Sequence, residues 1–208
     1  MHIVGELVAL VATALAATSA LPQLRRLRTT RDLAGVSLAG PAIGAVTEAG
    51  WLVYVAEEEL WSAAPEPVLM VIANVALATA ISRRDGPLVT ALVVGTAWAA
   101  TLTLATTAGG WAALGATLGI AYGVQMTPYL WSAFRVRRPT GIAVHTWTMN
   151  LVESVLWGIY GLAHGDRPIV LYAVIGTTTS TAILVRRLGL ERRPALNNNS
   201  VVTYVSDC

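Results

Sequence analysis

The sequence has no lysine, a single cysteine and few charged residues. All 14 basic residues are arginines, and charged residues make up 12% of the chain, where a soluble domain carries roughly 25%. A seven-helix photoreceptor is excluded, because its retinal forms a Schiff base with a lysine. The one cysteine, Cys208, has no second cysteine to pair with, so no disulfide can form within the chain. A protein with so few charged residues is unlike a soluble domain, whose surface faces water.

Groups that carry enzyme chemistry are scarce as well. The three histidines, His2, His145 and His164, are far apart in the sequence, and neither His-Glu-x-x-His nor Gly-x-Ser-x-Gly occurs. We therefore predict no enzyme activity, no metal site and no cofactor. The arginines stand in short clusters between apolar runs, so we expect no nucleic-acid partner despite the net charge of +2.

Apolar runs dominate what is present. Apolar residues make up 55% of the chain and the mean hydropathy is +0.60, while about 20 apolar residues in a helix cross a bilayer. The runs predict seven transmembrane helices, at roughly 3–23, 35–56, 66–82, 87–107, 111–133, 140–162 and 168–186. The polar tail at 188–208 is predicted to be disordered. We therefore predict an all-α protein whose first partner is the lipid bilayer.

The arginines predict the orientation of these helices. Thirteen of the 14 fall in the first, third and fifth connections and in the tail, and only Arg167 falls in the other connections. Because basic loops stay on the cytoplasmic side, we expect the N-terminus outside the cell membrane and the C-terminus in the cytoplasm.

The chain also contains an internal repeat. A shift of 106 residues aligns the sequence with itself without a gap, and the matches include Pro22 with Pro128, Gly35 with Gly141, Trp51 with Trp157, and Tyr54 with Tyr160. A three-helix unit ends on the opposite side of the membrane from its start, so two parallel copies need one more helix between them. We predict a 3+1+3 arrangement, with parallel three-helix repeats at 1–85 and 109–187 and a linker helix at 86–108. The repeats are related by an axis along the membrane normal.

The residues at these repeated positions resemble a known family. They are, in order, Pro22-Gln23, Gly35-Val36-Ser37 and Trp51-Leu52-Val53-Tyr54, and then Pro128-Tyr129, Gly141-Ile142-Ala143 and Trp157-Gly158-Ile159-Tyr160. The ordered set, present twice between residues 3 and 187, resembles the PQ-loop family and is most similar to the SWEET and SemiSWEET sugar transporters.

The resemblance implies a central pocket between two three-helix bundles. A tryptophan of the second helix and an asparagine of the third line the pocket in that family, which corresponds here to Trp51, Trp157 and Asn74. The second copy departs from the pattern, because its asparagine position falls at Ala173. In that family the first helix of each bundle bends at the proline and so opens the inner gate. The resemblance therefore implies that Pro22, Gln23 and Pro128 act as hinge residues here.

Two acids inside predicted spans could take part in transport. Glu48 and Glu153 share a helix face with Trp51 and Trp157 respectively, and Asn150 lies on the face of Trp157 as well. A charged carboxylate in a membrane costs several kcal/mol unless it is paired, protonated or facing water, so these acids either exchange protons or form hydrogen bonds between helices. The 106-residue shift does not pair the two acids with each other, which favours the structural alternative.

We therefore predict a transporter that moves a small polar solute, most simply a sugar, by alternating access. The predicted solute-binding residues are Trp51, Tyr54, Asn74, Asn150, Trp157 and Tyr160. A proton-coupled amino-acid transporter and a non-transporting receptor or scaffold stay open as alternatives, as does association of the chain with copies of itself.

Overall fold

The described part of the chain is entirely helical. The computed structural model describes residues 2–29, 39–85, 89–135 and 144–202, and no strand occurs among them. Its elements are α1 (His2–Thr29), α2 (Ala39–Glu57), the short 3-10 turn η1 (Trp61–Ala63), α3 (Pro65–Asp85), α4 (Val89–Arg135), α5 (Val144–His164) and α6 (Arg167–Val202). The all-α prediction is confirmed.

The structure has six α-helices where the sequence predicted seven. The predicted spans at 87–107 and 111–133 both fall within α4, which is 47 residues long. Its helical geometry is interrupted at Gly110, where φ is 69° and ψ is −164°, a combination that is open almost only to glycine. The Gly109-Gly110 connection adds no loop, so the two spans follow each other directly and are separated only by the kink at Gly110.

The chain nevertheless folds back on itself at Gly110. Leu102 and Leu118 lie eight residues before and after this glycine, and both lie against Gly50 of α2, at 3.1 and 3.0 Å from the position a Cβ would take there. In an uninterrupted helix the two leucines would be about 24 Å apart along the axis. The two arms of α4, residues 89–109 and 111–135, therefore run side by side.

Among the described residues, three helices are long and apolar enough to cross a membrane. They are Trp61–Arg83, Val89–Arg135 and Arg167–Gly189, and a shorter apolar helix covers Ile3–Thr18. By contrast, α2 and α5 each carry an acid in mid-helix, Glu48 and Glu153. The prediction of membrane-spanning helices is therefore supported for three elements.

The tail predicted at 188–208 begins within α6, which extends to Val202. Its disorder stays a prediction. Residues 203–208 lie outside the described part of the chain.

The helices follow one packing order twice. In the first half, α3 contacts both α1 and α2; in the second half, α6 contacts both α4 and α5. The halves meet where α1 packs against α5 and where α2 packs against α4. The third helix of each half therefore lies between the other two, and the six contacts form a ring.

A turn of the backbone also recurs at the 106-residue spacing. Glu59 and Gly165 both have positive φ, 56° and 72°, and each ends its helix in the left-handed conformation that closes many helix ends. The following residue donates a backbone hydrogen bond five residues back in both copies, from Leu60 to Val55 and from Asp166 to Gly161, at 2.8 Å each. The same helix ending therefore leads from α2 into η1 and α3, and from α5 into α6.

Candidate functional site

A cavity lies where the two halves of the molecule meet. Its walls come from α2, η1, α3, α5 and α6, and its lining residues are Glu48, Trp51, Val55, Ala63, Glu66, Pro67, Trp157, Ile169 and Tyr172. The space open to the centres of water molecules is about 40 Å³, enough for a few waters. A sugar or an amino acid does not fit in it in this conformation.

The lining residues form pairs across the internal repeat. Three pairs of them are related by the 106-residue shift, and these are Trp51 with Trp157, Ala63 with Ile169, and Glu66 with Tyr172. Positions 106 residues apart in the sequence therefore lie around the same space. Both halves therefore contribute to one site.

Trp51 and Trp157 are both in the cavity wall, and their part in binding a solute stays a prediction. Trp157 is only 6% exposed, and Trp51 makes edge-on ring contacts with Tyr54 at 5.7 Å and with Tyr172 at 5.8 Å. Trp61 and Trp131, which have no partner in the repeat, are 64% and 63% exposed. The repeated tryptophans are thus distinguished from the tryptophans at the surface.

Carboxyl groups meet at the cavity. Glu48 and Glu66 line it, and Glu153 lies close enough to both for their charges to interact. No hydrogen bond or ion pair joins any of these three acids to another residue in the described ranges. Glu48 lines the cavity together with Trp51, whereas Glu153, which was expected to point inward as well, is not among the lining residues.

The two asparagines are not in the cavity wall. The Asn74 amide donates to the carbonyl oxygen of Met70 in its own helix at 2.9 Å, and its side chain lies against Gly44 of α2. The Asn150 amide donates to the hydroxyl of Tyr122 at 3.3 Å. In this conformation both residues contribute to contacts between helices and not to the lining.

Tyr54 and Tyr160 form crossed bonds between the two halves. The Tyr54 hydroxyl donates to Oδ2 of Asp166 at 2.7 Å, while the Tyr160 hydroxyl and the Ser62 hydroxyl are hydrogen-bonded at 3.0 Å. The other oxygen of Asp166 accepts the backbone N–H of Ile169 at 2.8 Å and so caps α6. Each tyrosine thus reaches the turn that precedes the third helix of the opposite half.

These crossed tyrosine bonds lie at one end of the cavity. Ser62 is next to the lining residue Ala63, and Asp166 caps the helix that carries the lining residue Ile169. A wider surface cleft of about 520 Å³ has both Tyr54 and Asp166 in its wall. The Tyr54–Asp166 bond therefore lies in the wall of this cleft, next to residues that line the cavity.

The predicted hinge residues are only partly described. Helix α1 runs through Pro22 and Gln23, and the second arm of α4 runs through Pro128. The side chains of all three lie outside the described residues.

Comparison with known proteins assigns no family. No family model matches the chain, and neither a curated protein nor a solved structure shows significant similarity to it. The resemblance to PQ-loop proteins therefore stays a proposal.

Sequence reasoning missed two residues of the site, Glu66 and Tyr172. Glu66 stands between Pro65 and Pro67 at the start of α3. An acid at this position indicates the beginning of a helix and not a binding site. Tyr172 packs against Tyr122, with ring centroids 4.3 Å apart. The signal that could have found both is the repeat itself, because Glu66 and Tyr172 are equivalent under the 106-residue shift.

Proposed function

We propose that this chain is a membrane transporter that moves a small polar solute through the cavity by alternating access. The observation that carries the proposal is the position of the cavity. It has two carboxyl groups in a largely apolar wall, lies between two halves with the same helix order, and belongs to a chain with helices apolar enough to cross a bilayer. Sites on the axis between repeats recur in transporters, because the repeats can move against each other around the bound solute.

The proposal takes the two arms of α4 as separate membrane crossings. The arms run side by side and reverse at Gly110, which gives seven crossings in a 3+1+3 arrangement. The first arm is then the linker helix, and it packs on α2, where the Trp98 indole N–H donates to the Thr47 hydroxyl at 2.9 Å.

Orientation gives the first testable prediction. A reporter fused after Cys208 is expected in the cytoplasm, and a reporter in the turn at Glu57–Glu59 is expected outside, because the arginines lie almost entirely on one side. Cysteine accessibility to an impermeant reagent in whole cells measures both positions. If both reporters are found on one side, the number of crossings between them is even and the seven-crossing topology is wrong.

The structure corresponds to a closed state of such a transporter. The cavity is small, and the crossed tyrosine bonds lie next to residues that line it, with the Tyr54–Asp166 bond in the wall of the surface cleft. Because α2 and α5 end next to these bonds, separating the two halves at this end would break both bonds and join the cleft to the cavity. The resemblance places the opposite movement, toward the cytoplasm, at Pro22 and Pro128.

Two candidate solutes follow from different observations. The resemblance and the two tryptophans favour a sugar, because an aromatic ring offers a flat apolar surface to a sugar ring. Glu48 and Glu66 in the cavity wall favour a proton-coupled amino acid, since a carboxyl group without a hydrogen-bond partner can take up and release a proton. Asn74 lies outside the lining, so the geometry supports the second candidate better.

Uptake into liposomes tests the function and the coupling together. Purified protein is expected to move at least one solute of a panel of sugars and amino acids, and an inward proton gradient is expected to increase the accumulation. Glu48→Gln keeps the approximate shape of the side chain but cannot titrate, so this variant should still exchange solute without accumulating it.

The matched control for Glu48→Gln is Glu57→Gln, whose side chain is exposed at the end of α2. Accumulation that ignores the gradient in the wild type would favour passive sugar transport. A protein that binds solute but moves none would be a receptor or scaffold.

A further inference from the structure

We infer that the cavity recognises an organic cation, a solute with a substituted ammonium group and net positive charge. This inference rests on the proposed function, because it takes the cavity as the solute site. It goes further in assigning a charge to the solute, which neither a sugar nor a zwitterionic amino acid carries.

The first observation is the chemistry of the walls. Three aromatic rings, those of Trp51, Trp157 and Tyr172, and two carboxyl groups, those of Glu48 and Glu66, line the same small space. The face of an aromatic ring attracts a cation, and this attraction grows when the cation has lost its water. A wall that combines aromatic rings with carboxyl groups matches a cation with an apolar surface.

The second observation is independent of the walls and concerns charge balance. Within the described residues, no arginine and no hydrogen-bond donor contacts Glu48, Glu66 or Glu153. The arginines whose side chains the structure describes each stand near the end of a candidate span; they are Arg83, Arg135, Arg167, Arg186 and Arg187. No positive charge among the described side chains therefore balances the three acids, and protons or a cationic solute would supply it.

The aromatic rings favour an organic cation over a metal ion. Mg²⁺ and Ca²⁺ are bound by closely spaced oxygen ligands, and among the described residues no group of three or more acidic, histidine or cysteine side chains has that arrangement. A substituted ammonium group is larger, and its carbon atoms can contact the tryptophan rings while its charge stays near the acids. The cavity must widen to admit it, which agrees with a closed conformation.

An isosteric pair of probes tests the inference directly. Choline carries a quaternary nitrogen, and 3,3-dimethylbutan-1-ol has the same shape with a neutral carbon in its place. We expect full-length purified protein to bind radiolabelled choline saturably, and the neutral alcohol to compete at least about tenfold more weakly, as the loss of one desolvated cation–π contact predicts. Glu48→Gln and Glu66→Gln should each weaken choline binding by a similar factor, whereas Glu57→Gln should not.

Each outcome bears on the inference. Equal competition by choline and the neutral alcohol would overturn it, as would unchanged choline binding in both cavity variants or displacement of choline by Mg²⁺ at lower concentration. If one glutamine variant does not purify as a folded protein, choline binding by the other variant and competition by the neutral alcohol still test the inference.

A parallel uptake assay separates this inference from the proposed function. Choline that binds but does not enter liposomes would leave the cation site standing and refute transport. Glucose uptake that depends on Trp51 and Trp157, without choline binding, would support transport and refute the cation site.

Discussion

Replacement of Trp51 or Trp157 by alanine is expected to reduce solute uptake by about 30-fold or more while the protein still reaches the membrane. Both rings line the cavity, and truncation of a central aromatic residue in a binding site commonly costs about 2 kcal/mol or more. Initial rates of uptake into liposomes, normalised to the amount of reconstituted protein, measure the effect.

The control for this experiment is Trp131→Ala. Trp131 is 63% exposed and contacts the guanidinium group of Arg135, so its loss should change uptake less than about twofold, as is usual for surface substitutions. Trp98 lies on the linker helix, away from the cavity wall, but it is a less suitable control because its indole N–H donates a hydrogen bond to the Thr47 hydroxyl. Normal uptake by both Trp51→Ala and Trp157→Ala would reduce these tryptophans to packing residues.

Gly115→Leu is expected to prevent correct packing of the second half of the molecule. A Cβ at Gly115 would lie 2.7 Å from Cβ of Pro168 and 2.7 Å from the ring of Tyr54. The proline ring cannot rotate away, and Tyr54 is held by its bond to Asp166. Overpacking of this kind costs about 3 kcal/mol, so the monodisperse fraction in size-exclusion chromatography and the melting temperature should both fall.

Gly189→Leu is the matched control, because no atom lies within 4 Å of a Cβ at Gly189. Gly115→Ala should give an intermediate loss, since it adds only the first carbon. A Gly115→Leu protein as stable as the control would contradict the contact between the second arm of α4, the start of α6 and the end of α2.

The helices and the repeat were predictable because both leave signals along the chain. Helix positions follow from runs of apolar residues, and the repeat follows from matched Pro, Gly, Trp and Tyr at one spacing. The place of Trp51 and Trp157 in a pocket was implied by the resemblance, and the 3.6-residue period of a helix put Glu48 on the face of Trp51. The number of helices was harder, because the turn between the predicted spans at 87–107 and 111–133 is made by a single residue, Gly110.

Partners that are distant in sequence depended on the packed fold. The side chains of Asn74 and Asn150 were expected at the cavity, yet they contact neighbouring residues, Gly44 and Tyr122 respectively. Nothing near Tyr54 in the sequence indicates that its hydroxyl bonds Asp166, 112 residues away. Such a pair forms only when two separate helix ends are brought together.

Apolar periodicity and the 106-residue repeat were thus enough to predict helices and a related pair of halves, because these depend on residue type and spacing alone. The walls of the cavity were decided by packing. In the sequence, Glu66 marks only the start of a helix. It becomes a lining residue because α3 packs against α2 and Tyr172 of α6 lines the same cavity. Which side chains face a shared space depends on how helices from both halves meet, and that information is spread over the whole chain.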